Sequence, residues 1–164
     1  MRKLIKNGEL HTDEWTLLDQ EDLSIDTLPE GPVIVPLAFW QENAAVLSSR
    51  GNVSVWINGH DHVSELKNDL ASLPIIAVNF PAFMDGRGFS TGRLLRERYG
   101  FTGELRAVGQ FIRDQLCYLK RCGYNAFSLP EDIDVEGALK SLNDFSEYYQ
   151  AGVDQPTPLF RRRA

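Results

Sequence analysis

Cysteine and histidine are scarce in this chain. Two cysteines and three histidines among 164 residues are too few for a disulfide framework, and they make a protein-built transition-metal centre an unpromising expectation. Cys117 and Cys122 stand five positions apart, on different faces of one predicted helix, so neither a bridge nor a two-thiolate clamp is natural there. His60-Asp61-His62 falls at a strand-to-helix turn and reads as a solvated helix start. No apolar run approaches the ~20 residues of a membrane-spanning helix. The opening Met1-Arg2-Lys3-Leu4-Ile5-Lys6 lacks the apolar stretch of a secretory signal. The expectation is a cytoplasmic protein without a membrane partner. Nucleotide signatures are missing too. Gly86-Arg87-Gly88-Phe89-Ser90-Thr91-Gly92 places its last glycine one position too late for the dinucleotide fingerprint, and it has no Gly-Lys-Ser/Thr of a phosphate-binding loop. No Ser-His-Asp or Cys-His arrangement is visible.

What is present is an ordinary globular composition, 43% hydrophobic and 24% charged, on a chain long enough for one domain with a sizeable core. We expect one α/β domain over residues 1–150 and a proline-rich tail over 151–164, able to dock on this subunit or on a second one. The net charge of −6 is unevenly spread. Residues 87–121 hold seven arginines and one lysine against Glu97, Glu104 and Asp114, and Arg161-Arg162-Arg163 adds a basic end. A basic segment in an acidic protein points to a local anion or an acidic partner, not to nucleic acid. Pairing of these arginines with Asp85, Glu97, Glu104 and Asp114 is the equally weighted alternative.

Periodicity supplies the architecture. Asn7-Gly8 between short apolar stretches predicts an N-terminal β-hairpin. The acidic stretch from Asp19 to Glu30 reads as a surface connection. Strands are then expected at 33–37, 53–57, 75–80, 104–108 and 126–129. Helices are expected at about 39–49, from Asp61 through Val63, Leu66, Leu70 and Leu73, at about 90–99 and 110–121, and from Pro130 with Val135, Leu139, Leu142 and Phe145 turned inward. About five successive β-α units imply a mainly parallel sheet. An open three-layer sheet is the first expectation, and a partial (β/α) barrel with helices on one face is the alternative. Ligands in either arrangement favour the carboxyl ends of the strands.

The stretch from Met84 to Gly100 lies at such an end. Two glycines bracketing Arg87 allow the backbone to approach a ligand closely. Ser90 or Thr91 can cap the helix that follows and leave first-turn N–H groups free for an anion. The expected anion-binding set is Gly86, Arg87, Gly88, Ser90, Thr91, Arg93, Arg96 and Arg106. Arg93 also has the i,i+4 spacing for a surface pair with Glu97. Arg106 lies within a strand, where a charge must find a partner or a ligand. A structural ion pair is the slightly preferred reading for it. Asp85 and Asp114 are the available general bases, and no catalytic residue or cofactor is named by the pattern.

The run Asp85-Gly86-Arg87-Gly88-Phe89-Ser90, with Leu94-Leu95-Arg96-Glu97-Arg98, Gly103-Glu104-Leu105-Arg106-Ala107-Val108-Gly109 and Arg121-Cys122-Gly123-Tyr124, resembles the bacterial domain-of-unknown-function family 934. The likeness extends over nearly the whole chain. Members are described as oxidoreductases linked to assimilatory sulfite reduction, because they are encoded beside the sulfite reductase haemoprotein. The resemblance implies an accessory or anion-binding role in that process, with sulfite reductase or another sulfur-assimilation protein and a small anionic ligand as partners. A small oxidoreductase or other enzyme acting on an anionic sulfur metabolite is the alternative it implies. Self-association as a homo-oligomer is compatible with either.

Overall fold

In the computed structural model, which describes residues 3–19, 23–130 and 133–163, eight strands form one sheet in the order β2-β1-β8-β7-β6-β5-β4-β3. Strands β1 (Lys3–Lys6) and β2 (Glu9–Thr12) make the expected hairpin, antiparallel, with Ile5 opposite Leu10. Its two-residue loop has both Asn7 (φ 52°) and Gly8 (φ 84°) in the left-handed region, the tight hairpin turn whose twist matches the strands. Strands β3 (Thr16–Leu17), β4 (Val33–Pro36), β5 (Val53–Asn58), β6 (Ile75–Phe80), β7 (Glu104–Gly109) and β8 (Ala126–Ser128) run parallel to one another in sequence order. The hairpin joins through β1 against β8, with Ile5 opposite Phe127.

Sequential order replaces the open three-layer expectation with the barrel-like alternative. When every parallel crossover is right-handed and advances in one direction, all connections fall on one face. The described helices are α1 (Leu37–Arg50), α2 (Arg87–Glu97), α3 (Leu116–Arg121), α4 (Val135–Ser141) and α5 (Leu159–Arg162). Residues 63–66 make only a single 3-10 turn where a longer helix is expected, and Asp134 rather than Pro130 caps α4, accepting from the N–H groups of Glu136 and Gly137. The surface connection at Asp19–Glu30 lies partly outside the described residues, as do residues 131 and 132.

The sheet is a curled half-barrel, and the chain's own length requires the curl. Outermost strands β2 and β3 are separated in sequence only by Asp13, Glu14 and Trp15. Four Cα steps reach at most about 15 Å. Eight flat strands would hold their outer members about 34 Å apart. The strap from 13 to 15 therefore spans the open side, and strand alternation sorts residues between two surfaces. Val55, Ile57, Ile76, Val78, Phe80, Leu105 and Ala107 face the helices in the main core. Ile34, Ile75, Ala77 and Val108 form a smaller inner cluster, covered by Trp15, Leu17 and Trp56. Trp56 Nε1 donates to the carbonyl of Leu18 (2.9 Å), fixing the chain just beyond β3.

Candidate functional site

The loop after β6 turns at Pro81–Gly86 and α2 begins at Arg87, three residues earlier than the serine-threonine cap expected. Asp85 is what starts it. Its carboxylate accepts from the Arg87 backbone N–H (3.2 Å) and from Arg87 Nε (2.9 Å) and Nη2 (2.6 Å). Those bonds, the guanidinium's first, hold the Asp85 carboxyl down at about 2. Ser90 and Thr91 consequently sit inside the helix. Thr91 is buried, and its hydroxyl donates back to the Arg87 carbonyl (3.2 Å) and lies 3.4 Å from the Gly59 carbonyl oxygen.

The glycines serve helix packing here. A Cβ on Gly88 would meet the Phe80 ring at 2.5 Å, and one on Gly92 would overlap Tyr124. Gly86 has φ −83°, a conformation open to any residue. Tyr124 closes the contact by donating its buried hydroxyl to the Gly88 carbonyl (2.6 Å). Burial pushes that phenol well above its ordinary range.

The expected arginines separate onto different surfaces. Arg93 pairs with Glu97 through Nε (2.9 Å), as the spacing implies. Arg96 is half-buried and clamps the far end of α2. Its Nε donates to Gly123 O (2.9 Å), Nη1 to Phe101 O (2.6 Å) and Gly103 O (2.9 Å), and Nη2 to Asn125 Oδ1 (3.1 Å). Burial lowers its basicity. Arg106 lies on the inner surface of the half-barrel, 2% exposed, bonded through Nε to Glu104 (2.7 Å) and through Nη1 to Asp13 on the strap (2.9 Å). Lys6 Nζ reaches the other side of Glu104 (2.8 Å). Two cations and two carboxylates thus balance within the inner surface, as a buried charge demands.

Of the eight expected residues, Arg87, Ser90 and Thr91 line one cleft of about 360 Å³. Its other wall is the turn after β5, Gly59 to Ser64, and Arg98 stands at its far end. Among the described residues Arg98 makes no ion pair, whereas Arg87 and Arg93 do. Asp61 is occupied by the Asn58 backbone N–H (2.7 Å) and lies 3.6 Å from His60 Nε2. Gly59 lets the turn approach, since a Cβ there would strike the start of α2. Sequence reasoning missed His60, His62 and Arg98 as lining residues. A signal for Arg98 was available: Arg87, Thr91, Leu94 and Arg98 recur at i, i+4, i+7 and i+11, which is one helical face. Among the described residues no three His, Cys, Asp or Glu side chains converge as a metal site would need.

Residues 54–160 match a family model described as a bacterial protein of unknown function, DUF934. The chain belongs to this family. The matched stretch runs from β5 into the first half of α5, and so includes both walls of the cleft. No curated protein and no solved structure matches the chain. No helix among the described residues is long and apolar enough to cross a membrane.

Proposed function

We propose that this DUF934 protein is an accessory component of assimilatory sulfite reduction that holds a small oxyanion in the cleft between the turn after β5 and the exposed face of α2. The observation that supports it is the guanidinium of Arg98, without a carboxylate partner among the described residues, facing the same cavity as Arg87 and the Ser90 hydroxyl. A guanidinium in a recess is a strong oxyanion donor because its planar N–H groups need little reordering. Asp85 tempers Arg87, so Arg98 carries the larger share of the recognition. Sulfite reductase, or another sulfur-assimilation protein, is the partner this reading expects.

Calorimetric titration with sulfite, sulfate and phosphate tests the ligand, and capture from native cytosol at low salt tests the partner. Both are repeated with Arg98→Ala and Arg87→Ala. Binding that is unchanged in Arg98→Ala removes the cleft from the reading. A second reading, a small α/β oxidoreductase or other enzyme acting on an anionic sulfur metabolite, draws on the position of the cleft beyond the carboxyl ends of β5 and β6, where α/β sheets place substrates. Turnover of such a metabolite by the purified chain, with an added redox cofactor, would favour it.

A further inference from the structure

Helix α2 has a second flank. Between it and α3 lies a separate hollow of about 200 Å³, closed on the third side by the turn at 150–152. Ser90, Arg93, Arg121, Phe89, Tyr118 and Cys122 line it, and no carboxylate does. Arg93 commits only its Nε to Glu97, which leaves both terminal nitrogens without a hydrogen-bond acceptor among the described residues. Arg121 lies 4.0 Å over the Tyr148 ring and donates Nη2 to the Gln150 carbonyl. Its Nε is buried without a hydrogen bond, since Asp154 Oδ1 at 3.5 Å supplies attraction but no bond. Asp154 thus takes up part of the Arg121 charge, and Nη1, which has no hydrogen-bond acceptor among the described residues, is the nitrogen left for a ligand oxygen. The opposite wall is aromatic. Phe89 and Tyr118 meet at a 43° tilt with 5.1 Å between centroids, and Tyr118 is 58% exposed. Cys122 adds an uncharged, polarisable floor.

The geometry points to this hollow as a binding site for an aromatic ligand carrying a tetrahedral oxyanion, an aryl phosphate or aryl sulfonate. The oxyanion accepts from Arg93, Arg121 and Ser90, and the ring lies along Phe89 and Tyr118. Donors arriving from two helices suit a tetrahedral group, whereas a planar carboxylate is satisfied by a single guanidinium fork. The hollow lies on the opposite flank of α2 from the cleft that takes a bare oxyanion, and Ser90 is the one residue that borders both.

The test is calorimetry and amide NMR titration of the full chain with phenylphosphate, benzenesulfonate, inorganic phosphate and benzyl alcohol. Phenylphosphate or benzenesulfonate is expected to bind at least about tenfold tighter than inorganic phosphate or benzyl alcohol, with the tighter of the two identifying the headgroup. Amide shifts should centre on Tyr118 and Cys122, which border the hollow and not the cleft. Arg93→Ala, at an already exposed position, should weaken binding about tenfold without lowering Tm. Tyr118→Ala should remove the advantage of the aryl group. Equal affinity for inorganic phosphate and phenylphosphate, indifference to Arg93→Ala, or shifts confined to residues 59–64 would overturn the assignment.

Discussion

Replacing Arg106 by leucine tests whether the inner charge cluster is structural. The substitution removes the one cation that touches both Asp13 and Glu104, whose side chains are 5% and 6% exposed. Lys6 remains on Glu104, but Asp13 is left desolvated with its partner gone. Stripping one member from a buried pair costs about 3–5 kcal/mol. The lower part of that range is appropriate, because leucine fills much of the vacated volume and Lys6 still compensates Glu104. With a urea m-value of about 2 kcal/mol/M, the midpoint should fall by roughly 1.5–2 M. The triple variant Asp13→Asn, Glu104→Gln, Arg106→Met should recover at least about half of the loss, since the only charge left without its partner is that of Lys6, whose side chain is 42% exposed. Equilibrium unfolding monitored by tryptophan fluorescence is a suitable assay, because Trp15 and Trp56 pack at the inner cluster. A single variant within about 1 kcal/mol of the parent, or a triple variant no better than the single one, would refute the reasoning.

Arg96→Ala should cost about 3 kcal/mol, because three backbone carbonyls and Asn125 lose charged donors at once, and Arg96→Lys should rescue little; a urea midpoint unchanged in Arg96→Ala would contradict the clamp. Gly92→Ala should lose about 1–3 kcal/mol through overlap with Tyr124, and a Gly92→Ala, Tyr124→Leu pair should be less than additive in thermal melts. Tyr148, pushed up to about 12 first by burial and then by its hydrogen bond to Cys117 (2.7 Å), holds its proton more tightly folded than unfolded. The stability this contributes is present below pH 10 and is lost as pH rises toward 12, so Tm should drop across that window, less steeply in Tyr148→Phe. In the α2 cleft, Arg98→Ala should weaken oxyanion binding about tenfold in calorimetry and exceed the effect of Arg87→Ala, whose guanidinium already serves Asp85.

Local signals in the chain carried far. The Asn7-Gly8 hairpin, strand β6 and the sites of all five parallel strands from β4 to β8 follow from alternation and turn chemistry. Strand β3 is two residues long, below any periodicity, and is held by contacts distant in sequence: its pairing to β4 and the packing of Leu17 on the inner cluster. Strand order is a property of crossovers and the strap, and no window of sequence encodes it. The α2 start was displaced because Asp85 folds back on Arg87, a bond that local capping patterns at Ser90 and Thr91 do not reveal. Glycine spacing around Arg87 suggested a ligand; the neighbours that crowd Gly88 and Gly92 are Phe80 and Tyr124, far away in sequence. Phe145, expected inside, is 64% exposed, since α4 ends at Ser141.

The strap has a consequence for how the chain acquires its structure. Strand β1 waits for β8, more than a hundred residues later, before its inner edge is paired, while β2 and β3, neighbours in synthesis, end at opposite margins of the sheet. The parallel core from β4 to β7 can assemble by short crossovers as it emerges, but the hairpin must be stored until Phe127 is available. Such long loop closures slow folding. The hairpin should therefore be the last part to gain hydrogen-exchange protection on refolding, and the first edge to open for aggregation when it is lost.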